Sequence, residues 1–204
     1  MRVLLGISGA SGAVYGVRCA SLLLSQKAEL HVVVTRTAWN ILSDEAGKGK
    51  EAPAALEDRQ RWLADIVSAS HPFRLYDDDD FSIPFASGSN PPDAMIVAPC
   101  SMGTVGRIAS GVSSSVLTRC ADVVIKERRP LVLVTREAPL SVIHLENMLS
   151  LARAGADIFP ACPGFYHRPE SVSDLVDFVA ARALSRIGID TGLFPRWGEE
   201  RGGF

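Results

Sequence analysis

Short apolar runs alternate with longer stretches of helical spacing along most of the chain. Val3 to Ser8, Leu30 to Val34, Met95 to Ala98 and Leu131 to Val134 are nearly continuous aliphatic segments. Such runs are expected of strands covered on both faces of a parallel sheet. Asp157 to Pro160 is predicted as a last short strand. Between the runs, apolar positions recur every three or four residues over Ala13 to Gln26, Thr37 to Ser43, Ala54 to Ser68, Thr104 to Ala109, Ser115 to Lys126 and Val142 to Ala152, which predicts helices. Ser171 and Asp174 form a capping pattern ahead of Leu175, Val176, Val179, Ala183 and Ile187, so a final helix begins there. Alternating strands and helices predict an α/β fold, a Rossmann-like or flavodoxin-like parallel sheet flanked by helices on both faces. One domain is expected over 1–188, with 189–204 as a tail that contributes to an active site or to subunit contacts.

Composition narrows the function classes. The 204 residues suffice for one self-supporting core. A net charge of -2 argues against a nucleic-acid footprint. No stretch is long and apolar enough to span a bilayer, and the N-terminus reads as a first strand rather than a targeting segment. Cys19, Cys100, Cys120 and Cys162 stand far apart without a CxxC pair. Reduced thiols in the cytoplasm fit that pattern better than a metal site or a disulfide framework.

Ligands of such sheets bind beyond the carboxyl ends of the strands, which singles out Gly9 to Gly12, Thr35-Arg36, Pro99 to Thr104 and Thr135 to Glu137. Gly9 and Gly12 let amides approach an anion at the positive end of the following helix, with Ser8 and Ser11 as hydroxyl donors. Tight packing is the alternative use of the same glycines. Thr35-Arg36 replaces the acid that a nicotinamide dinucleotide site would place after the second strand, leaving a mononucleotide such as FMN open. Ser101, Met102, Gly103 and Thr104 make either a second anion cradle or an ordinary helix cap. Arg136-Glu137 joins a cation to a possible proton handler; a structural ion pair is the alternative.

The remaining polar signals are weaker. Arg119, Lys126 and Arg128-Arg129 form a basic cluster of the kind usually found on a solvated face. Arg182 interrupts an apolar helix and is costly there unless it meets an anion or water. Pro163 to Pro169 is an aromatic and basic loop that could close over a ligand. His144 and His167 are read as hydrogen-bonded structural residues. Cys100 is read as a small buried residue. Asp77 to Asp80 reads as a solvated loop, with a metal site as the alternative.

Taken together, GASGA (Gly9 to Ala13), ASGS (Ala86 to Ser89), PCSMGT (Pro99 to Thr104), KERRPLVLVTREAPLS (Lys126 to Ser141), HLENM (His144 to Met148), PGFYHRP (Pro163 to Pro169) and PRWGE (Pro195 to Glu199) resemble the UbiX/Pad-type flavin prenyltransferases. The resemblance runs from about Val3 to Glu199. It implies a metal-independent homododecamer that binds reduced FMN between subunits. The reaction it implies moves a dimethylallyl group from dimethylallyl phosphate to N5 and C6 of the flavin. The product, prenylated FMN, would serve a UbiD-type decarboxylase.

Carried over by position, Gly9, Ala10, Ser11, Thr35, Ser101, Met102, Gly103, Thr104 and Arg136 would bind FMN. Arg119, Lys126, Tyr166, Arg182 and Trp197 would bind the prenyl phosphate. Glu45, Glu137, Lys126 and Ser11 would form the catalytic set. Phe81 departs from the tryptophan that some relatives carry. Two rival readings keep the fold. An FMN-dependent cysteine decarboxylase would need a PASANT-like segment and a histidine near the flavin; here that segment is Ala86 to Ser89, with no histidine close by. A non-catalytic flavin carrier would not need Lys126, Arg136, Glu137, Tyr166 and Arg182 together.

Overall fold

The computed structural model describes residues 1–47 and 49–194. Six strands form one parallel sheet: β1 (Arg2–Ile7), β2 (Glu29–Val34), β3 (Arg74–Asp77), β4 (Ala94–Cys100), β5 (Leu131–Thr135) and β6 (Asp157–Pro160), in the order β3-β2-β1-β4-β5-β6. The chain starts at the centre, winds outward to β3, returns to β4 beside β1 and winds out the other way. The carboxyl ends of β1 and β4 therefore form a topological switch point, where a crevice opens.

Side chains on successive strand residues point to opposite faces, so each central strand feeds two cores. Val3, Leu5, Val32, Val34, Ile96 and Val132 face the first core, with α1 (Ala13–Ser25), α2 (Arg36–Ala46), α3 (Leu56–Val67) and α7 (Val172–Ser185). Leu4, Val33, Met95, Val97, Leu131 and Leu133 face the second, with α4 (Met102–Ala109), α5 (Val116–Lys126), α6 (Val142–Arg153) and a 3-10 turn at Pro84–Ala86. A forked ion pair from Arg18 to Asp177 fastens α7 to α1.

Two features differ from the sequence expectation. β3 is an additional edge strand, and the path from β3 to β4 carries only the 3-10 turn. The run Asp77 to Asp80 is not wholly a solvated loop. Asp77 ends β3, and half-buried Asp78 accepts the Leu117 amide at 2.9 Å through Oδ1 and the Val116 amide at 2.8 Å through its carbonyl. Asp78 thus satisfies orphan donors at the start of α5. Burial pushes its carboxyl above the usual range, against those hydrogen bonds. Among the described residues no helix is long and apolar enough to cross a membrane.

Candidate active site

The crevice is stitched shut beneath by Ser8. Its hydroxyl donates to the Pro99 carbonyl at 3.0 Å and accepts the Ser101 amide at 2.8 Å. Ser8 is therefore buried structure joining β1 to β4, not a ligand donor. Gly12 adopts a left-handed conformation with φ 104°, which costs glycine little and turns the chain into α1. The first amides of α1 are already engaged: Glu45 Oε2 accepts from Gly12 at 2.8 Å and from Ala13 at 2.7 Å. The anion at this helix terminus is thus the chain's own carboxylate, a favourable partner for the helix dipole. Gly9, Ala10 and Ser11 line the turn ahead of it.

Arg136 leaves the end of β5 and reaches back across β4, where its Nε donates to the Ser11 carbonyl at 2.9 Å. This single bond couples two of the four loops that the sequence singled out. Glu137, beside it, is exposed and accepts the Ala138 amide at 3.1 Å. The two do not form the structural ion pair that spacing allowed; among the described residues, no ion pair joins them. A cavity of about 570 Å³ opens beside them, walled by Leu140, Leu145, Met148, Leu149 and Ile158.

Ser101 is the N-cap of α4. Its Oγ accepts the Thr104 amide at 3.3 Å and pairs with the Thr104 hydroxyl at 3.0 Å, and that hydroxyl also accepts from Arg107 at 3.2 Å. Thr104 and the Met102 side chain are buried. The cap engages the Thr104 amide; among the described residues, the Met102 and Gly103 amides take no hydrogen bond. Thr35 begins α2 without a side-chain cap bond. Two helix termini at the carboxyl edge, those of α2 and α4, thus retain amides for an anion.

The basic and phenolic residues separate into two pairs. Arg119 and Lys126 lie on α5, under the second core. Arg119 donates to the Ala86 carbonyl at 3.0 Å and to Asp122 at 2.7 Å, and Lys126 pairs with Glu127. A Cβ on Gly88 would meet Lys126 Nζ and Glu127 Oε1, the flexible ends of two side chains, so glycine here leaves room for their close approach. Tyr166 and Arg182 lie by the opposite face of the sheet and line a cavity of about 860 Å³ together with Phe159, Phe178 and Phe194. Within one chain the four residues do not surround a single point. Arg182 is exposed to this cavity, which resolves its cost in an apolar helix.

The loop Pro163 to Pro169 is anchored rather than loose. The His167 ring stacks on Phe178 at 4.9 Å between centroids and meets Phe194 edge-on at 5.0 Å. His144 accepts the Ser141 amide at 3.2 Å in the α6 capping box, the structural role expected of it. Burial pushes the Cys100 thiol up to about 12, in keeping with a small core residue. Cys162, read from the sequence only as one of four separated reduced thiols, is exposed and lines both cavities, a placement that no local pattern signals. Trp197 lies outside the described residues.

The flavoprotein family model matches residues 1–184. The chain is 46% identical over 200 residues to the flavin prenyltransferase UbiX of Pseudomonas aeruginosa, covering 98% of this chain and 95% of that protein. Its fold superposes with a TM-score of 0.84 on the crystal structure of AnUbiX (PadA1) in complex with FMN and dimethylallyl pyrophosphate, at 38% identity and 98% coverage of each chain. The dodecameric FMN-dependent UbiX-like decarboxylase from Escherichia coli O157:H7 superposes with a TM-score of 0.82 at 38% identity, over 96% of this chain and 99% of that one.

Proposed function

The chain belongs to the flavoprotein family, and we propose that it is a flavin prenyltransferase that moves a dimethylallyl group from dimethylallyl phosphate to reduced FMN. The observation that carries the reading is the turn Ser11-Gly12, held by Glu45 through the Gly12 amide and by Arg136, the neighbour of Glu137, through the Ser11 carbonyl, in a chain similar along its length to UbiX. When bound, FMN supplies the ring whose N5 and C6 form the new bonds.

The residues fit an anionic mononucleotide. The unspent amides of α2 and α4, beginning at Thr35 and at Ser101 to Thr104, suit the phosphate. Gly9, Ala10 and Ser11 would line the ring, and Arg136 would donate to it while holding the Ser11 loop. Glu45 already fills the α1 terminus, so the phosphate is assigned to the other two ends. Glu45 and Glu137 are the carboxylates that would hold or move protons, and Ser11 would add a hydroxyl to that set.

The prenyl phosphate needs cations where the leaving charge develops. Arg119 and Lys126 of one copy and Tyr166 and Arg182 of a neighbouring copy would supply them together. That arrangement requires a homo-oligomer, and the dodecameric relative supports one. Trp197 is assigned to the same site by resemblance, as is the role of the tail 189–204. The prenylated FMN would pass to a UbiD-type decarboxylase in the cytoplasm. The cysteine-decarboxylase reading is disfavoured because the described histidines are committed elsewhere: His31 is buried in β2, His144 caps α6, His167 is stacked on Phe178, and His71 is bonded to Ser70.

Anaerobic incubation with reduced FMN and dimethylallyl phosphate, followed by mass analysis, tests the proposal. The flavin should gain one C5H8 unit with release of phosphate. Glu137→Gln should still bind FMN and form little product. An unchanged flavin mass with the wild-type protein overturns the reading, and wild-type turnover by Glu137→Gln removes Glu137 from it.

A further inference from the structure

We propose, resting on the flavin reading above, that Arg107 is a positioning residue of the α4 cradle. Through the Thr104 hydroxyl it aims the Ser101 proton at the flavin phosphate, and so makes the cradle favour the phosphorylated flavin over the free one. Arg107 stands in the last turn of α4, where the helix dipole would stabilise its charge. Its guanidinium instead folds back to the first turn. Nη2 donates to Thr104 Oγ1 at 3.2 Å, and Nη1 lies 3.6 Å from where a Cβ on Gly103 would stand. A cation is thereby held toward the positive end of the helix, against the dipole. The first turn of α4 carries no acid. Among the described residues Arg107 forms no ion pair, and Asp78 feels its charge only from beyond ion-pair distance. An anion on the unspent Met102 and Gly103 amides would resolve the conflict, meeting the dipole and the guanidinium together.

The hydroxyls of the cradle have a fixed donor order. A guanidinium can only donate, so Thr104 Oγ1 accepts from Arg107. Thr104 is 1% exposed, and among the described residues the other group bonded to its hydroxyl is Ser101 Oγ at 3.0 Å. The Thr104 proton therefore goes to Ser101. Ser101 Oγ also accepts the Thr104 amide at 3.3 Å, so both its lone pairs are engaged and its own proton is left for the crevice. Ser101 is half-buried and open to a ligand. The order Arg107 to Thr104 to Ser101 thus places a hydroxyl donor, polarised by a cation, beside the free amides. A phosphate ester, which is anionic and offers only acceptors once ionised, matches that set. Riboflavin presents an uncharged hydroxyl at the same end and gains little from the cation.

Titration of the full-length protein with oxidised FMN and with riboflavin, followed by flavin fluorescence, tests the role. Arg107→Met keeps the aliphatic stem and removes the charge and the donor. Its Kd for FMN should rise about fivefold, the upper end for loss of an exposed charge pair, while its Kd for riboflavin stays at the wild-type value. Arg107→Lys restores the charge and a donor and should recover part of the FMN affinity. Arg107 is exposed, so both variants should keep the wild-type far-ultraviolet spectrum. An unchanged Kd for FMN in Arg107→Met overturns the proposal. Equal weakening of FMN and riboflavin also overturns it, because a purely structural residue would act on both. A raised KM for dimethylallyl phosphate with FMN binding unaltered overturns it too, by assigning Arg107 to the prenyl phosphate. Wild-type protein that binds no FMN overturns this role and the flavin reading together, whereas wild-type binding with indifferent Arg107 variants overturns the role alone.

Discussion

Glu45 sits in the last turn of α2 but acts on α1, accepting the Gly12 and Ala13 amides at 2.8 and 2.7 Å. Two roles are thereby combined in one carboxylate: it satisfies orphan donors, and it stands beside Ser11 and Arg136 at the crevice. Substitution separates them. Glu45→Ala removes the acceptor and should cost about 1 kcal/mol, in the range of lost helix caps. For a chain of this length that lowers Tm by about 2–4 °C. Glu45→Gln keeps an oxygen for the amides and should melt close to the wild type. It cannot exchange a proton, so product formation should fall about 100-fold or more. Calorimetry and the flavin mass assay read the two effects separately. A Gln variant with full turnover would leave Glu45 as a cap alone. The partnership was hidden in the sequence because the bonded residues stand 32 and 33 positions apart, and no local spacing records a helix reaching the start of another.

Helix α5 carries the corresponding argument for the prenyl phosphate. Arg119 and Lys126 are seven residues apart, on one face of the helix, and both lean on the segment Ala86 to Gly88. Gly88→Ala would push aside the flexible ends of Lys126 and Glu127 rather than backbone, so Tm should hardly move. The apparent KM for dimethylallyl phosphate should rise several-fold while FMN binding is retained; steady-state kinetics and flavin titration distinguish the two. An unaltered KM would separate Lys126 from the phosphate. At this scale the strands β1, β2, β4 and β5 were legible, since burial on both faces demands continuous aliphatic runs. The helices were legible from their 3.6-residue period. β3 was not: within Arg74–Asp77 only Leu75 is buried, so an edge strand of four residues leaves no period to detect. The carboxyl-end loops were legible because glycines and hydroxyls mark places where backbone approaches a ligand. The division of the cations between two sheet faces was not, because sequence order does not reveal which core a helix covers.

The whole molecule places its polar chemistry at the carboxyl edge of the sheet and a different titratable group near the amino edge. His31, in the first half of β2, is buried between Tyr76, whose hydroxyl lies 2.9 Å from Nδ1, and Glu29, whose carboxylate lies 3.1 Å from Nε2. Phe85 meets the ring edge-on at 4.6 Å, and Arg2 and Arg74 add positive charge nearby. Burial pulls the imidazole below its ordinary 6.5, with Arg74 and Arg2 pulling the same way and Glu29 opposing them. The folded state therefore binds its proton less readily than the unfolded chain does. The stabilisation that follows is fully present above pH 6.5 and is lost as pH falls from there through the folded value, by at most about 1.4 kcal/mol per pH unit. Thermal melts between about pH 7.5 and 5 should show Tm declining toward acid. His31→Gln, which stays neutral and can still bond Tyr76, should flatten that decline. The other histidines remain in the variant, so the difference between the two curves isolates His31. Parallel curves for wild type and variant would mean that the acid sensitivity of this fold arises elsewhere.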